Sequence, residues 1–220
     1  MTDYVMMPAK EYRNICAAVR EKTGGTTLLR SGELAEKISE ISAEGSQETF
    51  WDAFQSNGTA TNYQNAFRSK WWNDEIFCPK YPFVCRGVYG AYNMFNGASN
   101  ITTTKVPIEV YNGELNGTFG SCSALETIPF LKLENVTTYS GAFSGCKKLT
   151  NITIDGSIDV SISMAATDML SAKSVQSVID HLKDLTGLTT QTLTFHNEVG
   201  GRLTEAQKAE ITGKNWTLAY

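Results

Sequence analysis

The fold of this chain is decided by three related segments, which read YNMFNGASNI (residues 92–101), LNGTFGSCSAL (115–125) and YSGAFSGCKKL (139–149). Phe95, Phe119 and Phe143 follow one another at intervals of 24 residues. A fixed period near two dozen residues is the signature of a stacked repeat, in which each unit buries its apolar edge against its neighbours. We therefore expect residues 91–162 to form a ladder of repeats with these phenylalanines inside it.

Short strands are predicted within the repeats, at residues 125–130, 149–154 and 158–162. Alternation in the second of them places Ile152 and Ile154 inward and Thr153 outward. Cys122 and Cys146 are also 24 residues apart, so they lie one repeat apart. They either form a ladder of small apolar thiols or pair in a disulfide, and thiols are the more usual outcome in a protein made in a cytosol.

The composition limits the classes of protein to which the chain can belong. A length of 220 residues suits one large domain or two small ones. The net charge of −4 implies no general attraction to nucleic acid. There is no run of 18 apolar residues, which argues against membrane insertion, and the opening MTDYVMMP lacks the features of a signal peptide. We expect synthesis in the cytoplasm without export.

Two short amphipathic helices joined by a glycine turn are predicted in residues 1–44. Each helix is too short to be stable alone, so its apolar stripe needs a partner. We interpret this segment as an attachment or homo-oligomerisation element. The residues of the stripes are Tyr12, Ile15, Val19, Leu34, Ile38 and Ile41.

Residues 45–90 are rich in aromatic side chains and are predicted to cover the open N-terminal end of the ladder. The alternative is an exposed aromatic patch for a partner or a sugar. Trp71 and Trp72 are its best candidates, because adjacent residues of an extended segment point to opposite faces.

Residues 163–220 are predicted to close the other end of the ladder with a helix, a strand, a second helix and a final strand. Ser174 is a candidate cap for the first helix. Thr204 and Gln207 have the spacing of a capping box, which predicts the start of the second helix. The two strands are predicted at 192–196 and 215–220.

Two parts of the chain resemble known families. The unit AFSGCKKLTNITI (142–154) resembles the BspA-type leucine-rich repeat, which reads approximately A-F-x-x-C-x-x-L-x-x-I-x-I. The unit at 115–130 matches with Thr118 in place of alanine, and the unit at 91–106 has Ala98 in place of cysteine. Residues 15–41 and FWDAFQSNG (50–58) resemble segments of tail-associated proteins of phages and prophages of Gram-positive gut bacteria. The resemblance implies a place in the virion tail.

Residues capable of catalysis or metal binding form no recognisable motif. His181 and His196 are the two histidines of the chain, and neither has the neighbourhood of a catalytic triad. There is no Cys-x-x-Cys or His-x-x-x-His pair for a metal and no phosphate-binding loop. We expect no catalytic residue, no metal and no cofactor, although a pair of carboxylates that meets only in space stays open.

The sequence thus predicts an α+β protein: a short leucine-rich-repeat β-solenoid with an N-terminal helical hairpin and a helix–strand C-terminal cap. The predicted function is non-enzymatic binding of a host-surface polysaccharide or protein, in contact with phage tail components. Three alternatives are an intracellular phage protein that binds a host defence factor, a bacterial surface adhesin and a cell-wall glycan hydrolase. The candidate binding residues are Trp71, Trp72, Tyr81, Tyr89, Lys132 and Thr153.

Overall fold

The structure, a computed structural model, describes residues 61–68, 81–104 and 106–220. These ranges contain seven strands and three helices. The predicted helical hairpin of residues 1–44 lies outside them. The strands are β1 (Phe83–Arg86), β2 (Ile108–Tyr111), β3 (Thr127–Glu134), β4 (Asn151–Gly156), β5 (Ile162–Met164), β6 (Gln191–Phe195) and β7 (Trp216–Ala219). The helices are α1 (Ala172–Asp180), α2 (Asn197–Gly200) and α3 (Glu205–Gly213).

The strands form two separate parallel sheets. The first has four strands in the order β1-β2-β3-β4, and the second has three in the order β5-β6-β7. In the first sheet Cys85 pairs with Val110 and Val110 pairs with Leu133, so the buried positions of neighbouring strands are in register. Because the strands are in register, their inward side chains form one core and their outward side chains form one surface.

The predicted α+β solenoid is wrong. The described residues form an α/β-like arrangement of two small parallel sheets with three helices, in which helices connect the parallel strands of the second sheet. Parallel strands need such crossover connections, because a short turn cannot return the chain to the same end of the sheet. The physical reason for the change lies after β4, where the chain forms helix α1 instead of another strand of the first sheet.

Helix α1 covers the outer edge of β4 with side-chain hydroxyls. The backbone N–H of Ile152 donates to Ser174 Oγ at 2.9 Å, and that of Ile154 donates to Ser177 Oγ at 2.9 Å. Ser174 Oγ in turn donates to the carbonyl of Thr150 at 3.0 Å. These contacts satisfy edge groups that would otherwise require a fifth strand, so the first sheet ends here.

The core of the first sheet contains a stack of phenylalanine rings. Phe95, Phe119 and Phe143 are stacked with centroids 5.6 and 5.7 Å apart and interplanar angles of 7° and 12°. Phe67 extends this stack at 5.2 Å from Phe95. The 24-residue interval of the sequence therefore corresponds to one step from ring to ring, and the aromatic segment at 45–90 supplies one ring more.

Several predicted elements are present with shifted bounds. Inward Ile152 and Ile154 and outward Thr153 are confirmed. The capping box of Thr204 and Gln207 is confirmed, with both reciprocal hydrogen bonds. Ser174, however, does not cap α1: the cap is Ser171, and Ser174 is a buried residue inside the helix. The strand predicted at 158–162 is wrong, since β5 begins only at its last residue.

Candidate functional site

The outward side chains of β1–β4 form a polar surface, which we call the outer face. Alternation within each short strand creates it: in β2 Ile108 and Val110 are buried, whereas Glu109 and Tyr111 are half-buried on the opposite side. Register aligns these positions across the sheet. One row contains Val84, Glu109, Lys132 and Asp155, and the next contains Arg86, Tyr111 and Glu134.

Tyr111 is the centre of the outer face. The guanidinium carbon of Arg86 lies 4.5 Å from the centroid of its ring, and the Nζ of Lys132 lies 5.5 Å from it. Both cations are within the range of cation–π attraction. The Tyr111 hydroxyl donates to Glu109 Oε2 at 2.6 Å. The ring and its hydroxyl are therefore held by three charged neighbours from three adjacent strands.

Electrostatics within this cluster favour the neutral phenol and the charged amine. The hydrogen bond to Glu109 raises the pKa of Tyr111, because it stabilises the protonated hydroxyl. The neighbouring Tyr111 raises the pKa of Lys132. Near neutral pH a neutral Tyr111 hydroxyl therefore lies beside a charged Lys132 amine.

A bulge widens the outer face beside β4. Ile128 pairs with Ile152 and Leu131 pairs with Ile154, so Pro129 and Phe130 together oppose the single residue between those isoleucines. That residue is Thr153, which is exposed. The bulge thus places a proline and a half-buried phenylalanine beside an exposed threonine.

The loop after β1 adds apolar groups at one end of the outer face. Val88 and Tyr89 are 53% and 52% exposed, and the Tyr89 ring makes an edge contact with Tyr92 at 5.8 Å. The loop is held close to the following one: a Cβ on Gly113 would overlap the carbonyl oxygen of Gly87, so only glycine fits there. Tyr89 is the exposed aromatic side chain of this region.

The predicted binding residues are only partly brought together. Lys132 and Thr153 share the outer face. Tyr81 and Tyr89 lie before and after β1, hence toward opposite ends of that strand, and Tyr81 is half-buried. Trp71 and Trp72 lie outside the described residues, as do the attachment residues Tyr12, Ile15, Val19, Leu34, Ile38 and Ile41.

Sequence reasoning missed Arg86, Glu109 and Tyr111, which belong to strands that were not predicted. Their signal is the period-two alternation in the four-residue segments FVCR (83–86) and IEVY (108–111). Each segment is short, and β1 lies within a region that we interpreted as an aromatic cover. Only the register between strands shows that the three side chains meet.

The cysteines and histidines of the described residues have structural partners. The Cys122 thiol donates to the carbonyl of Phe95 at 3.1 Å, and the Cys146 thiol to that of Phe119 at 3.0 Å. Both are free thiols, so the ladder of thiols rather than a disulfide is confirmed. Burial raises the pKa of Cys122 well above its usual value and that of Cys146 to about 12, which makes both poor nucleophiles.

Each histidine likewise contacts nearby backbone. His181 Nδ1 lies 2.7 Å from the carbonyl of Ser177, and His196 Nδ1 accepts from the N–H of Glu198 at 3.2 Å as the cap of α2. Neither contact aligns a histidine with a nucleophile, so we assign both to local structure.

A cavity of about 80 Å³ lies between the helices, and Arg202 forms part of its wall. Its volume is well below the several hundred Å³ of a typical small-molecule site. The Arg202 guanidinium donates to the carbonyl of Leu170 at 3.1 Å.

Among the described residues, no three His, Cys, Asp or Glu side chains are grouped to hold a metal ion. No helix in the described ranges has the length and apolar character needed to cross a membrane.

Comparisons of the chain with protein-family models, curated proteins and solved structures find no match. The resemblance to BspA-type repeats and to phage tail-associated proteins therefore stays a prediction.

Proposed function

We propose that this protein is a non-enzymatic binding protein of a phage tail that contacts a partner protein through its outer face. The observation that carries the proposal is the cluster around Tyr111, in which Arg86, Lys132 and Glu109 surround one aromatic ring. Tyrosine and arginine are the residues most often found at the energetic centre of protein interfaces.

The pattern of charge supports a protein rather than a polysaccharide as the partner. Glu109, Lys132 and Asp155 alternate in sign along one row of paired residues, and Arg86 and Glu134 flank Tyr111 in the next row. Such a mixed pattern is complementary to a surface with its own fixed charges. A sugar-binding ring needs a free face for stacking, whereas the Tyr111 ring already has two cations near it.

The tail assignment is supported by the resemblance of residues 15–41 and 50–58. Residues 1–44 and the outer face have different proposed roles. Residues 1–44 attach the protein to the tail or to other copies, and the outer face binds the partner. The host-surface protein is the proposed ligand of the outer face.

Two measurements test this function. The first is quantitative proteomics of purified virions, in which we expect the protein to be present in a fixed ratio to tail proteins. Absence from virions together with accumulation in the host cytosol would favour the alternative of an intracellular binder of a host factor.

The second is binding of the purified protein to host cells before and after protease treatment. We expect binding to be lost after proteolysis of the cell surface, and Lys132→Glu to weaken it by about tenfold or more, because reversing one charge creates repulsion where there was attraction. Lys147→Glu is the matched control, since it makes the same charge change at an exposed turn away from the sheet. Binding that survives the protease and is competed by purified wall polysaccharide would contradict the protein partner.

A further inference from the structure

The two cations beside Tyr111 differ in their neighbours across the sheet. Lys132 pairs with Glu109 on one side and with Asp155 on the other, so its positive charge is flanked by two carboxylates. Arg86 pairs with Tyr111 instead, and it forms no ion pair with a carboxylate of the described residues. The charge of Arg86 is therefore not balanced by a paired neighbour within the sheet.

The N–H groups of Arg86 are also available, unlike those of Arg202. The Arg202 guanidinium donates to the carbonyls of Glu198 and Leu170, both at 3.1 Å, and is thereby built into the protein. The Arg86 side chain is exposed and has no hydrogen bond to a residue within the described ranges. Its planar set of N–H donors therefore faces solvent.

The Arg86 side chain is nevertheless held at a defined place. Its guanidinium carbon lies 4.5 Å from the centroid of the Tyr111 ring, and the Tyr111 hydroxyl is fixed by its hydrogen bond to Glu109. The backbone N–H of Arg86 donates to the carbonyl of Thr61 at 2.8 Å. A guanidinium that stacks on a ring can still bind a carboxylate through two parallel hydrogen bonds. Because the side chain is ordered in advance, little entropy is lost on binding.

The carboxylates of the outer face lie on the other side of Arg86 from the free end of the sheet. Glu134 and Asp155 belong to β3 and β4, beyond β2, and Glu109 accepts the Tyr111 hydroxyl through Oε2. An approaching carboxylate is therefore repelled least at the β1 side of the outer face.

We propose that Arg86 binds the carboxylate of an aspartate or glutamate side chain of the partner protein, beside the Tyr111 ring. The inference rests on the proposed function and adds the chemical group that the outer face recognises. The next loop folds back on Arg86, since a Cβ on Gly90 would lie 2.7 Å from the Arg86 backbone nitrogen. Its exposed side chains, Val88 and Tyr89, offer the partner apolar contact next to the ion pair. Apolar contacts that exclude water strengthen such a pair.

The test combines two changes in one binding experiment, with purified protein and host cells. Arg86→Lys keeps the charge and removes the planar set of donors. Treatment of the cells with a carbodiimide and glycinamide converts surface carboxylates into neutral amides. Each change alone is expected to weaken binding by about tenfold or more. On amidated cells the wild type and Arg86→Lys are expected to bind alike, because the two changes remove the same contact.

Arg68→Lys is the matched control, because Arg68 is exposed and lies after a turn rather than in a strand. It should bind as the wild type does. Urea unfolding of Arg86→Lys is expected to match that of the wild type, since the exposed side chain has its role in binding.

Equal binding of Arg86→Lys and the wild type to untreated cells would overturn the proposal. An equal fold-loss of both proteins on amidation would also overturn it, because Arg86 would then not be the group that meets the carboxylate. If binding is lost after proteolysis of the cell surface, either result leaves the proposed function in place. Binding that survives both proteolysis and amidation would contradict the protein partner, and this inference with it.

Discussion

Replacement of Ser174 and Ser177 by alanine tests whether helix α1 takes the place of a fifth strand. The two hydroxyls accept hydrogen bonds from the backbone of Ile152 and Ile154. Alanine keeps the helix but removes both acceptors, and the neighbouring strand cannot turn its amides toward water. The expected result is loss of stability that is concentrated at the edge of β4.

The magnitude follows from burial. Leaving a buried backbone N–H without a partner costs about 1–3 kcal/mol. Ser174 is 2% exposed and also donates to the carbonyl of Thr150, so its loss belongs near the upper end of this range. Ser177 is half-buried and belongs near the lower end. Alanine favours the helix by roughly 0.5 kcal/mol at each position, which offsets part of the loss. The double variant should lose about 2–4 kcal/mol of a total stability near 5–15 kcal/mol.

The assay combines urea unfolding with amide hydrogen exchange resolved by residue. Ser174→Ala should accelerate exchange at Ile152, and Ser177→Ala should accelerate it at Ile154. Ser144→Ala is the control, because its side chain is exposed in a turn. Unchanged exchange at both isoleucines, or a double variant as stable as the wild type, would refute the reasoning that serine hydroxyls complete the sheet.

Substitutions at three further residues, Phe119, Cys146 and Tyr111, test the core and the outer face. Phe119→Ala should destabilise the protein by about 3–5 kcal/mol in urea unfolding, because it opens a cavity in the middle of the ring stack; a smaller loss than Thr153→Ala would contradict this. Because the folded-state pKa of Cys146 is raised from 9.0 to about 12, its contribution to stability is complete below pH 9 and is lost as the pH rises toward 12; Cys146→Ala should flatten that part of the pH–stability profile. Tyr111→Phe keeps the ring beside the two cations and should retain more partner binding than Tyr111→Ala, measured by surface biosensor; equal losses would assign the effect to the hydroxyl alone.

The periodic part of the fold could be predicted from the sequence. The equal spacing of Phe95, Phe119 and Phe143 predicts that their side chains stack. The same spacing between Cys122 and Cys146 predicts that the two thiols lie one repeat apart. Phe67 could not be predicted in this way, because it lies 28 residues before Phe95 and not 24. Its ring nevertheless continues the stack, with its centroid 5.2 Å from that of Phe95. Equivalent residues are equally spaced in sequence only when the segments that connect them have equal lengths. The segment between Phe67 and Phe95 is longer, so sequence spacing does not reveal that Phe67 belongs to the stack.

The end of the first sheet could not be predicted in the same way. Ser174 and Ser177 are three residues apart in an evidently helical segment, so both lie on one face of α1. Nothing in that spacing shows that the face meets the edge of β4. The side chains of the outer face could not be predicted for a related reason. Glu109 and Lys132 are 23 residues apart in sequence and become neighbours only through the register of β2 and β3.

The early end of the first sheet also limits what one copy can bind. Four strands about 4.8 Å apart and about four paired residues of 3.3 Å each give an outer face of the order of 200 Å². A stable protein interface buries about 800 Å² on each partner. One outer face is therefore too small for strong binding unless the exposed loop at Val88 and Tyr89 also contributes or several copies bind together. Self-association through residues 1–44 would present several outer faces on one particle, and two linked contacts can exceed the affinity of one by about 10²–10⁴-fold. On a surface with densely immobilised partner, a chain that lacks residues 1–44 should then dissociate much faster than the full chain, whereas on a sparse surface the two should dissociate alike. A difference of equal size on both surfaces would mean that residues 1–44 act on the binding contact itself and not through the number of copies.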